Sequence, residues 1–385
     1  MKSFIYLDCA ASTPLDKRVL AKMLPFLSEQ QGYGNSNASH FYGREAKQAI
    51  EQARGQVAQL IHAKPAEIVW TSGATEANNL AIKGLAYANQ AKGKHIITTQ
   101  IEHSSVLDSC AQLEKEGFTV TYLPVEKEGT VNLITLQQAL RSDTILVSIM
   151  HVNNETGVVQ NIKAIGDLVH AQGSYFHVDA VQSVSKELID LADWPVDLMS
   201  FSAHKVYGPK GIGALYVNHA REIKWQPLFN GGGQEQGLRP GTLATHQIVG
   251  MGEAFALAQQ MMLEDNKRIN DLSARFWRGV NQVGSVYLNG NLASKVPHIL
   301  NIAFADIETK ALLPALKDLA VSTGSACHEG RAAASHVLSA LGVSEQLINS
   351  SIRFSFGRFT TVAEIDLAVE KVNTAVRVLR DMRYG

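Results

Sequence analysis

The stretch VDLMSFSAHKVYGPKGIG, residues 196–213, decides the fold. Its first part, residues 196–201, is mainly apolar and predicts a strand that enters a core. Glycine and proline at positions 208–211 break the backbone, and residues 213–217 predict a second strand. SAHK, residues 202–205, follows the C-terminal end of the first strand. The stretch therefore predicts a buried sheet with polar side chains at its edge.

Lys205 is the unusual residue here, because an ammonium at the end of a buried strand loses hydration. Two interpretations are open for this lysine. It either extends to water, or it is a desolvated amine with a depressed pKa that serves as a Schiff-base nucleophile and later as a general base. The rest of the chain has to decide between them.

Composition narrows the class of protein. A chain of 385 residues predicts two domains. The formal net charge of -1 argues against nucleic-acid and anionic-membrane partners. Apolar runs such as residues 144–150 are too short to span a bilayer, and the N-terminus does not resemble a signal peptide, so we expect a cytoplasmic protein. Cys9, Cys110 and Cys327 show neither a disulfide pattern nor metal-ligand spacing.

Strands and helices alternate through residues 1–217. Predicted strands lie at 5–8, 67–70, 95–99, 119–123, 145–151, 175–178, 196–201 and 213–217, and predicted helices at 16–27, 44–61, 77–90, 104–116, 133–141 and 162–172. This order predicts an α/β fold with a mostly parallel sheet covered by helices on both faces. Ligands of such sheets bind at the carboxyl ends of the strands. Residues 71–75, 153–154, 179 and 202–205 fall at such ends.

A glycine-rich break at residues 231–241 separates this pattern from the rest. A long helix over 246–278 is predicted to link two domains. Beyond it we predict strands at 299–304 and 352–355 and helices at 310–319, 333–341 and 363–382. We therefore expect a large α/β domain over 15–257 and a small α+β domain formed by 1–14 and 258–385.

Three candidate positions lie in the α/β part. The turn at 72–76 is either a phosphate site at a helix start or an ordinary helix cap made by the hydroxyl of Ser72 or Thr75. Asp179 either pairs with a protonated pyridine nitrogen or caps the next helix. His103 either lies against a cofactor ring or is a polar residue at a helix start.

Two further candidates lie in the C-terminal part. Cys327 stands among small residues, which indicates an exposed loop, so it is either a reactive thiol or an incidental surface cysteine. Arg353 alternates with apolar neighbours on a predicted strand. It either binds a substrate carboxylate with its guanidinium or faces solvent.

Taken together, these motifs closely resemble the pyridoxal-phosphate enzymes of aspartate-aminotransferase fold, aminotransferase class V, and among them the cysteine desulfurases of the IscS/NifS type. The resemblance covers nearly the whole chain. It rests on YLDCAAST, GNSNASHFYGR, TSGATEANNLAIKG, EHSSVLD, SIMHVNNETGVVQ, HVDAVQS, SFSAHKVYGPKGIGALYV, GGGQEQGLRPGT, STGSAC and SSIRFSFGRFTT.

The resemblance implies a role for each matching position around pyridoxal 5'-phosphate. Lys205 would hold the cofactor and shuttle the substrate α-proton, and Asp179 would pair with the ring nitrogen. Gln182 would hydrogen-bond the phenolic oxygen, and His103 would stack on the ring. The remaining cofactor-binding and substrate-binding residues would be Ala74, Thr75, Ser202 and His204 at the phosphate, Thr242 at the phosphate of a second subunit, and Asn154 and Arg353 at the substrate carboxylate.

The implied reaction converts L-cysteine to L-alanine, with Cys327 taking the sulfur as a persulfide. The implied partners are a second copy of the chain and a sulfur acceptor such as an iron–sulfur scaffold or a tRNA-thiolation relay. No resident metal is implied beyond a transient iron–sulfur contact at Cys327. The chain ends at Gly385, before the C-terminal tail with which longer relatives dock the scaffold.

Two departures from the family accompany the resemblance. Ala203 replaces the glycine usual in the lysine motif, and residues 328–335 replace the usual loop exit after the cysteine. The alternatives are a selenocysteine lyase, a class V aminotransferase, or a sulfur-carrying scaffold protein without catalysis.

Overall fold

The computed structural model describes residues 4–291, 293–323 and 334–384. The strands are β1 (Ile5–Tyr6), β2 (Ile68–Thr71), β3 (His95–Thr99), β4 (Thr119–Leu123), β5 (Thr144–Ser148), β6 (Tyr175–Asp179), β7 (Leu198–Ser202), β8 (Gly213–Val217), β9 (Val286–Asn289), β10 (Ile299–Phe304), β11 (Leu319–Ala320) and β12 (Ser351–Ser355). The helices are α1 (Lys17–Met23), α2 (Phe41–Leu60), α3 (Ala74–Asn79), α4 (Leu85–Asn89), α5 (Ser104–Lys115), α6 (Leu133–Ala139), α7 (Ile162–Ala171), α8 (Thr245–Asn281), α9 (Thr309–Ala315), α10 (His336–Ala340), α11 (Glu345–Ile348) and α12 (Val362–Tyr384).

Seven strands form the large sheet, in the order β2-β8-β7-β6-β5-β3-β4. All of its pairs are parallel except those of β8, which runs antiparallel to both β2 and β7. Gly213, the first residue of β8, therefore pairs with Thr71 and Ser202, the last residues of β2 and β7. The predicted α/β fold with a mostly parallel sheet is confirmed. The strand ends that carry the predicted polar residues meet at one edge.

Two smaller sheets include the strands of the C-terminal part of the chain. One has the antiparallel order β12-β10-β9, and the other pairs β1 with β11 in parallel. Ile5 and Leu7 are fully buried in the hydrophobic cluster that contains Phe276 and Phe354. The N-terminal segment thus packs with C-terminal residues. The predicted division into 15–257 and 1–14 with 258–385 stays a prediction.

The predicted long helix over 246–278 is confirmed as α8, which joins both parts. Its N-terminal half places Ile248, Met251 and Phe255 in the core beneath the large sheet. Its C-terminal half places Ile269 and Phe276 in the core of the smaller sheets. The single helix α8 therefore contributes to both cores and connects the two parts.

Several predicted elements are wrong in their bounds. The helix predicted over 77–90 begins at Ala74 and contains a π turn over Leu80–Gly84. The helix predicted over 310–319 ends at Ala315, because Leu319–Ala320 pairs as a strand with β1. No predicted element covers β9, β11 or α11. Of the helix predicted over 333–341, residue 333 lies outside the described residues.

Across residues 4–291, 293–323 and 334–384, no helix is long and apolar enough to cross a membrane.

Candidate active site

A cavity of about 540 Å³ opens at the edge of the large sheet where β2, β6 and β7 end. This volume lies within the range of small-molecule and cofactor sites. The predicted site residues that line it are Ala74, Thr75, His103, Asn154, Asp179, Gln182, Ser202, His204, Lys205 and Arg353. The fold therefore brings these positions together from six segments of the chain.

Lys205 follows β7 in a short 3-10 turn, Ala203–Lys205. Its side chain is half-buried in the cavity, and its Nζ donates to the carbonyl oxygens of Ala10 and Ala11, each at 2.7 Å. The amine is thus held in the cavity by backbone carbonyls of the N-terminal segment rather than extended into bulk water. This favours the interpretation of Lys205 as a functional amine.

Asp179 is the last residue of β6 and is 5% exposed. Its Oδ2 accepts from the Asn78 side-chain amide at 2.8 Å, and its Oδ1 accepts from the Val181 N–H at 3.0 Å. In the described residues both hydrogen bonds come from neutral donors, so a cation that entered the cavity would find a buried carboxylate. The carboxylate does not cap a helix, so that alternative is wrong.

Asn78 also lines the cavity, although it was not among the predicted site residues. It is fully buried on α3, where its amide donates to both Asp179 and the Ser105 hydroxyl, each at 2.8 Å. The signal in the sequence is its position one turn after Ala74 on the same helix, which places both on one face.

His103 caps the start of α5 from the position before it, where its Nδ1 accepts from the Ser105 N–H at 3.1 Å. The alternative of a polar residue at a helix start is therefore confirmed, and the same imidazole lines the cavity. Gln182 donates from Nε2 to the Ala10 carbonyl at 2.8 Å, and its Oε1 accepts from Lys186 at 3.3 Å. Hydrogen bonds thus fix the orientation of both side chains.

The turn between β2 and α3 is not capped by a hydroxyl. The residue before α3 is Gly73, and no side chain caps the helix there. Instead the Ser72 N–H donates to the Glu76 carboxylate at 2.7 Å. The alternative of a Ser72 or Thr75 cap is therefore wrong. The backbone at the start of α3 borders the cavity.

The chain packs closely behind this turn. A Cβ at Gly213 would lie 2.5 Å from the Phe201 carbonyl oxygen and 2.7 Å from the Gly73 Cα. Only a glycine at the start of β8 allows this approach. Gly213 thereby fixes the position of the turn at the cavity.

The charges near His204, at this end of the cavity, are positive. Burial, together with the positive charges of Lys205 and Lys210, lowers the pKa of His204 to about 4. The imidazole is therefore neutral at physiological pH. Two lysines beside a helix start suit an anion such as a phosphate group.

Arg353 lies on β12 and is 4% exposed, so the alternative of a solvent-facing arginine is wrong. Its Nη1 donates to the Asn154 carbonyl oxygen at 2.8 Å, and its Nη2 donates to Asp8 Oδ1 at 2.9 Å. A buried guanidinium at the cavity wall is suited to bind a carboxylate. Asp8 is a second residue that the sequence analysis did not single out.

Thr242 does not line this cavity. It borders a separate one of about 680 Å³, together with Leu27, Tyr33 and neighbouring residues. Its predicted role at a second subunit's phosphate stays a prediction.

Cys327 lies outside the described residues, as do the other residues of 324–333. The chain on either side is fixed close to the cavity. Before it, Ser322 pairs through its backbone with Arg353. After it, the Ser335 hydroxyl donates to Glu155 Oε2 at 2.6 Å, next to Asn154. Both flanks are therefore attached to residues of the cavity wall or their direct neighbours.

Comparison with known proteins gives a consistent result. A family model described as aminotransferase class-V matches residues 5–368. "Cysteine desulfurase IscS" of Stutzerimonas stutzeri (strain A1501) is 54% identical over 383 residues, covering 99% of this chain and 95% of that protein. Among solved structures, a "NIFS-LIKE PROTEIN" is 35% identical, with a TM-score of 0.91 and coverage of 97% of this chain and 100% of that one. "SspA in complex with cysteine" is 40% identical, with a TM-score of 0.79 and coverage of 93% and 100%. The chain belongs to the class-V aminotransferases and, within them, to the cysteine desulfurases of the IscS/NifS type.

Proposed function

We propose that this protein converts L-cysteine to L-alanine with pyridoxal 5'-phosphate and keeps the sulfur as a persulfide on Cys327. One observation carries the proposal. The Lys205 amine, the buried Asp179 carboxylate and the buried Arg353 guanidinium all line one cavity of about 540 Å³. Relatives with the printed name of cysteine desulfurase are 54–55% identical over almost the whole chain.

The residues present fit pyridoxal phosphate. Asp179 has only neutral donors among its described partners, so a protonated ring nitrogen would complete its environment. The phosphate would lie at the start of α3, near Lys210 and the neutral His204. Ala74, Thr75 and Ser202 would border it, and His103 would lie against the ring. When bound, the cofactor supplies an electron sink for charge that develops on the substrate.

Side chains of the protein would then bind the substrate, transfer its proton and orient the cofactor. Arg353 and Asn154 would hold the substrate carboxylate and so fix the α-carbon in the cavity. The Lys205 amine would take the proton from that α-carbon. Gln182 has a second N–H on its amide that can be donated into the cavity, where it would orient the cofactor's phenolic oxygen.

The sulfur transfer balances without an added oxidant or reductant. The carbon–sulfur bond of cysteine breaks, and a sulfur–sulfur bond to the Cys327 thiol forms. The carbon that loses sulfur gains a proton, so that L-cysteine and the thiol give L-alanine and a persulfide. A thiolate is suited to this attack, because sulfur is a soft nucleophile.

We further propose that the protein is a homodimer that shares Thr242 between subunits. An exposed patch of large apolar side chains borders the cavity that contains Thr242. The patch consists of Leu27, Tyr33, Phe41 and Tyr42, each between 46% and 60% exposed; Leu27 and Tyr33 line the cavity, and the ring of Tyr42 contacts those of Tyr33 and Phe41. Apolar patches of this kind on a protein surface mark interaction sites. Phe41→Asp with Tyr42→Asp should give a monomer in sedimentation experiments, and an unchanged dimer would contradict this proposal.

The proposed acceptor of the sulfur is a partner protein in iron–sulfur cluster assembly or another sulfur-transfer pathway such as tRNA thiolation. A cytoplasmic location stays a prediction. Incubating the persulfide form with candidate acceptors and following labelled sulfur from cysteine tests this part directly.

Two variants test the reaction itself. Cys327→Ser should bind the cofactor with its visible absorbance intact and should lose sulfur release from L-cysteine. Lys205→Ala should lose both α-proton exchange and the peptide that carries the cofactor after borohydride reduction. Sulfide release by Cys327→Ser at the parent rate would refute the assigned nucleophile.

Turnover of different substrates distinguishes the proposed desulfurase from the alternative functions. Turnover of cysteine is expected, whereas preferred turnover of selenocysteine would indicate a selenocysteine lyase. Amino transfer to a keto acid would indicate an aminotransferase. An absorbance that does not change when cysteine is added would favour a scaffold protein without catalysis.

A further inference from the structure

Hydrogen bonds connect the carboxylate of Asp179 with the imidazole of His103 through two buried polar side chains. Asn78 Nδ2 donates to Asp179 Oδ2 and to the Ser105 hydroxyl, each at 2.8 Å. The Ser105 hydroxyl lies 2.9 Å from His103 Nδ1, and the Ser105 N–H donates to the same nitrogen at 3.1 Å. Asn78 is fully buried and Ser105 is 7% exposed, so little water competes for these contacts.

The carboxylate of Asp179 sets the direction of the first hydrogen bonds. A carboxylate only accepts, and this one already accepts from the Val181 N–H at 3.0 Å. Asn78 therefore has to turn its nitrogen toward Asp179, although its Oδ1 then has no hydrogen-bond partner within the described residues. The same nitrogen donates to Ser105, so the Ser105 oxygen accepts there and keeps its own hydrogen for another acceptor.

The backbone of Ser105 determines which nitrogen of His103 carries the hydrogen. A backbone N–H can only donate, so the Ser105 N–H requires a lone pair on His103 Nδ1. Because Nδ1 then has no hydrogen to give, the Ser105 hydroxyl is the donor in its contact with Nδ1. A neutral imidazole carries one hydrogen, which is therefore on Nε2.

We propose that Ser105 and Asn78 are positioning residues that fix His103 in the tautomer with its hydrogen on Nε2. Ser105 donates twice to Nδ1, and Asn78 directs the Ser105 hydroxyl toward that nitrogen. The inference rests on the proposed function, because His103 and Asp179 are assigned there to the cofactor. Its chemical consequence is that Nε2 donates. A ligand group that meets Nε2 has to accept, as a carboxylate or a thiolate does and an ammonium does not.

Two substitutions separate the contributions of the two positioning residues. Ser105→Ala removes the hydroxyl and keeps the backbone N–H, whereas Asn78→Leu removes the amide donor at a similar volume. Ser109→Ala is the matched control, one turn later in α5. Ser109 is buried like Ser105, and its hydroxyl donates to the Ser105 backbone carbonyl at 2.7 Å. Thermal unfolding establishes that each variant is folded.

These substitutions leave the ionisable side chains around His103 unchanged. Within the described residues, those that share its cavity are Glu76, Asp179, His204, Lys205, Lys210 and Arg353, and Glu102 precedes it in the chain. A difference between the parent and a variant therefore reports the hydrogen bonds rather than a lost charge.

The first measurement determines the tautomer of His103 in the parent protein by NMR. Histidine with an isotope label only at the ring carbon Cδ2 is incorporated into the full chain, and the His103 signal is identified by its absence from His103→Gln. The chemical shift of Cδ2 distinguishes the two neutral tautomers, because this carbon is bonded to Nε2. At about pH 9, well above the usual pKa of histidine, we expect the shift for hydrogen on Nε2, both without cofactor and with pyridoxal phosphate bound. The shift of the other tautomer in either form would overturn the proposal.

The second measurement follows the same signal across a pH series. The Ser105 hydroxyl stabilises only the neutral ring, so Ser105→Ala should raise the pKa of His103 by about 0.5–1, the effect of one lost hydrogen bond. Ser109→Ala should leave this pKa as it is in the parent. Asn78→Leu should raise it by less, and should have no further effect in the Ser105→Ala background, because Asn78 acts through that hydroxyl.

An unchanged or lowered pKa of His103 in Ser105→Ala would refute the role of the hydroxyl. Equal effects of Asn78→Leu in both backgrounds would refute the role of Asn78. Failure of the parent to bind pyridoxal phosphate would instead refute the proposed function, and the tautomer would still be decided on the cofactor-free protein.

Discussion

The carboxylate of Asp8 and the guanidinium of Arg353 form an ion pair at the wall of the active-site cavity. Asp8 Oδ1 lies 2.9 Å from Arg353 Nη2, and the arginine side chain is 5% exposed. The same arginine is proposed to bind the substrate carboxylate. The substrate and Asp8 therefore act as two anions around one cation.

Asp8→Asn should tighten substrate binding. The variant keeps an oxygen that accepts from Arg353 but removes the competing negative charge. We expect the KM for L-cysteine to fall about threefold to tenfold, since a partly exposed charge pair contributes on the order of 1 kcal/mol. Steady-state kinetics measure the change. Asp366→Asn, which alters an exposed pair with Arg275, is the control that should leave KM as it is.

A raised KM in Asp8→Asn would contradict this interpretation, because Asp8 would then serve to orient the guanidinium. Arg353→Lys gives the complementary result. It should raise KM, because an ammonium does not reproduce the two-pronged geometry of a guanidinium.

Glu102→Gln should change how stability depends on pH. Glu102 is fully buried, with Oε1 accepting from the Thr99 hydroxyl at 2.7 Å and the Met150 N–H at 2.9 Å. Burial, with a smaller contribution from the charge of Asp179, raises the pKa of Glu102 from 4.5 to about 8. The folded protein thus keeps a proton that the unfolded chain releases. The stabilisation is complete below about pH 4.5 and is lost as the pH rises towards 8.

Glutamine does not titrate. The melting temperature of Glu102→Gln should therefore increase relative to that of the parent as the pH is raised from 5 to about 8. Thermal unfolding at several pH values measures this gain. Glu345→Gln, at an exposed glutamate on α11, should show no such trend. A constant difference between Glu102→Gln and the parent would mean that Glu102 is ionised in the fold.

Arg358→Met should destabilise the protein strongly. Arg358 donates to Asp16 at 2.9 Å and to Asp265 at 2.8 Å, and all three side chains are buried. Loss of the arginine leaves buried carboxylates without this cation, which costs about 3–5 kcal/mol. Urea denaturation measures the loss. Arg358→Met combined with Asp16→Asn and Asp265→Asn should recover much of it, and a loss below about 1 kcal/mol would show that the ion pairs contribute little.

Gly213→Ala should weaken the binding of pyridoxal phosphate without changing a group that touches it. The added methyl group would push against the Phe201 carbonyl and the Gly73 turn. Because the turn is displaced, we expect the affinity for pyridoxal phosphate to fall about tenfold. This corresponds to a loss of roughly 1.4 kcal/mol of binding free energy. Equilibrium dialysis measures it. Gly55→Ala on α2, where a Cβ meets no atom within 4 Å, is the control that should bind normally.

Residues at the ends of β6 and β7 could be predicted from the sequence, because alternating strands and helices place such ends at one edge of a sheet. Asp179 and Lys205 follow from this rule. The role of Lys205 does not, since its amine is held by carbonyls of residues 10 and 11, which are almost 200 positions away. Local patterns do not encode contacts at that separation.

The same limit explains the missed elements. β11 has two residues and exists because β1 pairs with it, so no periodic pattern marks it. Lys186 lies in turns after β6, where a lysine is ordinarily exposed. Its burial depends on Cys9 and His298, which come from distant segments.

The N-terminal segment gives the molecule an order of assembly. Residues 5–11 are synthesised before the large sheet, yet their partners come after it: the Ile5 N–H donates to the Asp318 carbonyl oxygen, and the Ala10 N–H donates to the Ser355 hydroxyl. The strands of the large sheet, residues 68–217, are all synthesised in between. The large sheet can therefore form while β1 is still unpaired. The carbonyls that hold Lys205 can be fixed by the Ser355 contact only after residue 355 has been made, so the surroundings of Lys205 are completed later in synthesis than the strands of the large sheet.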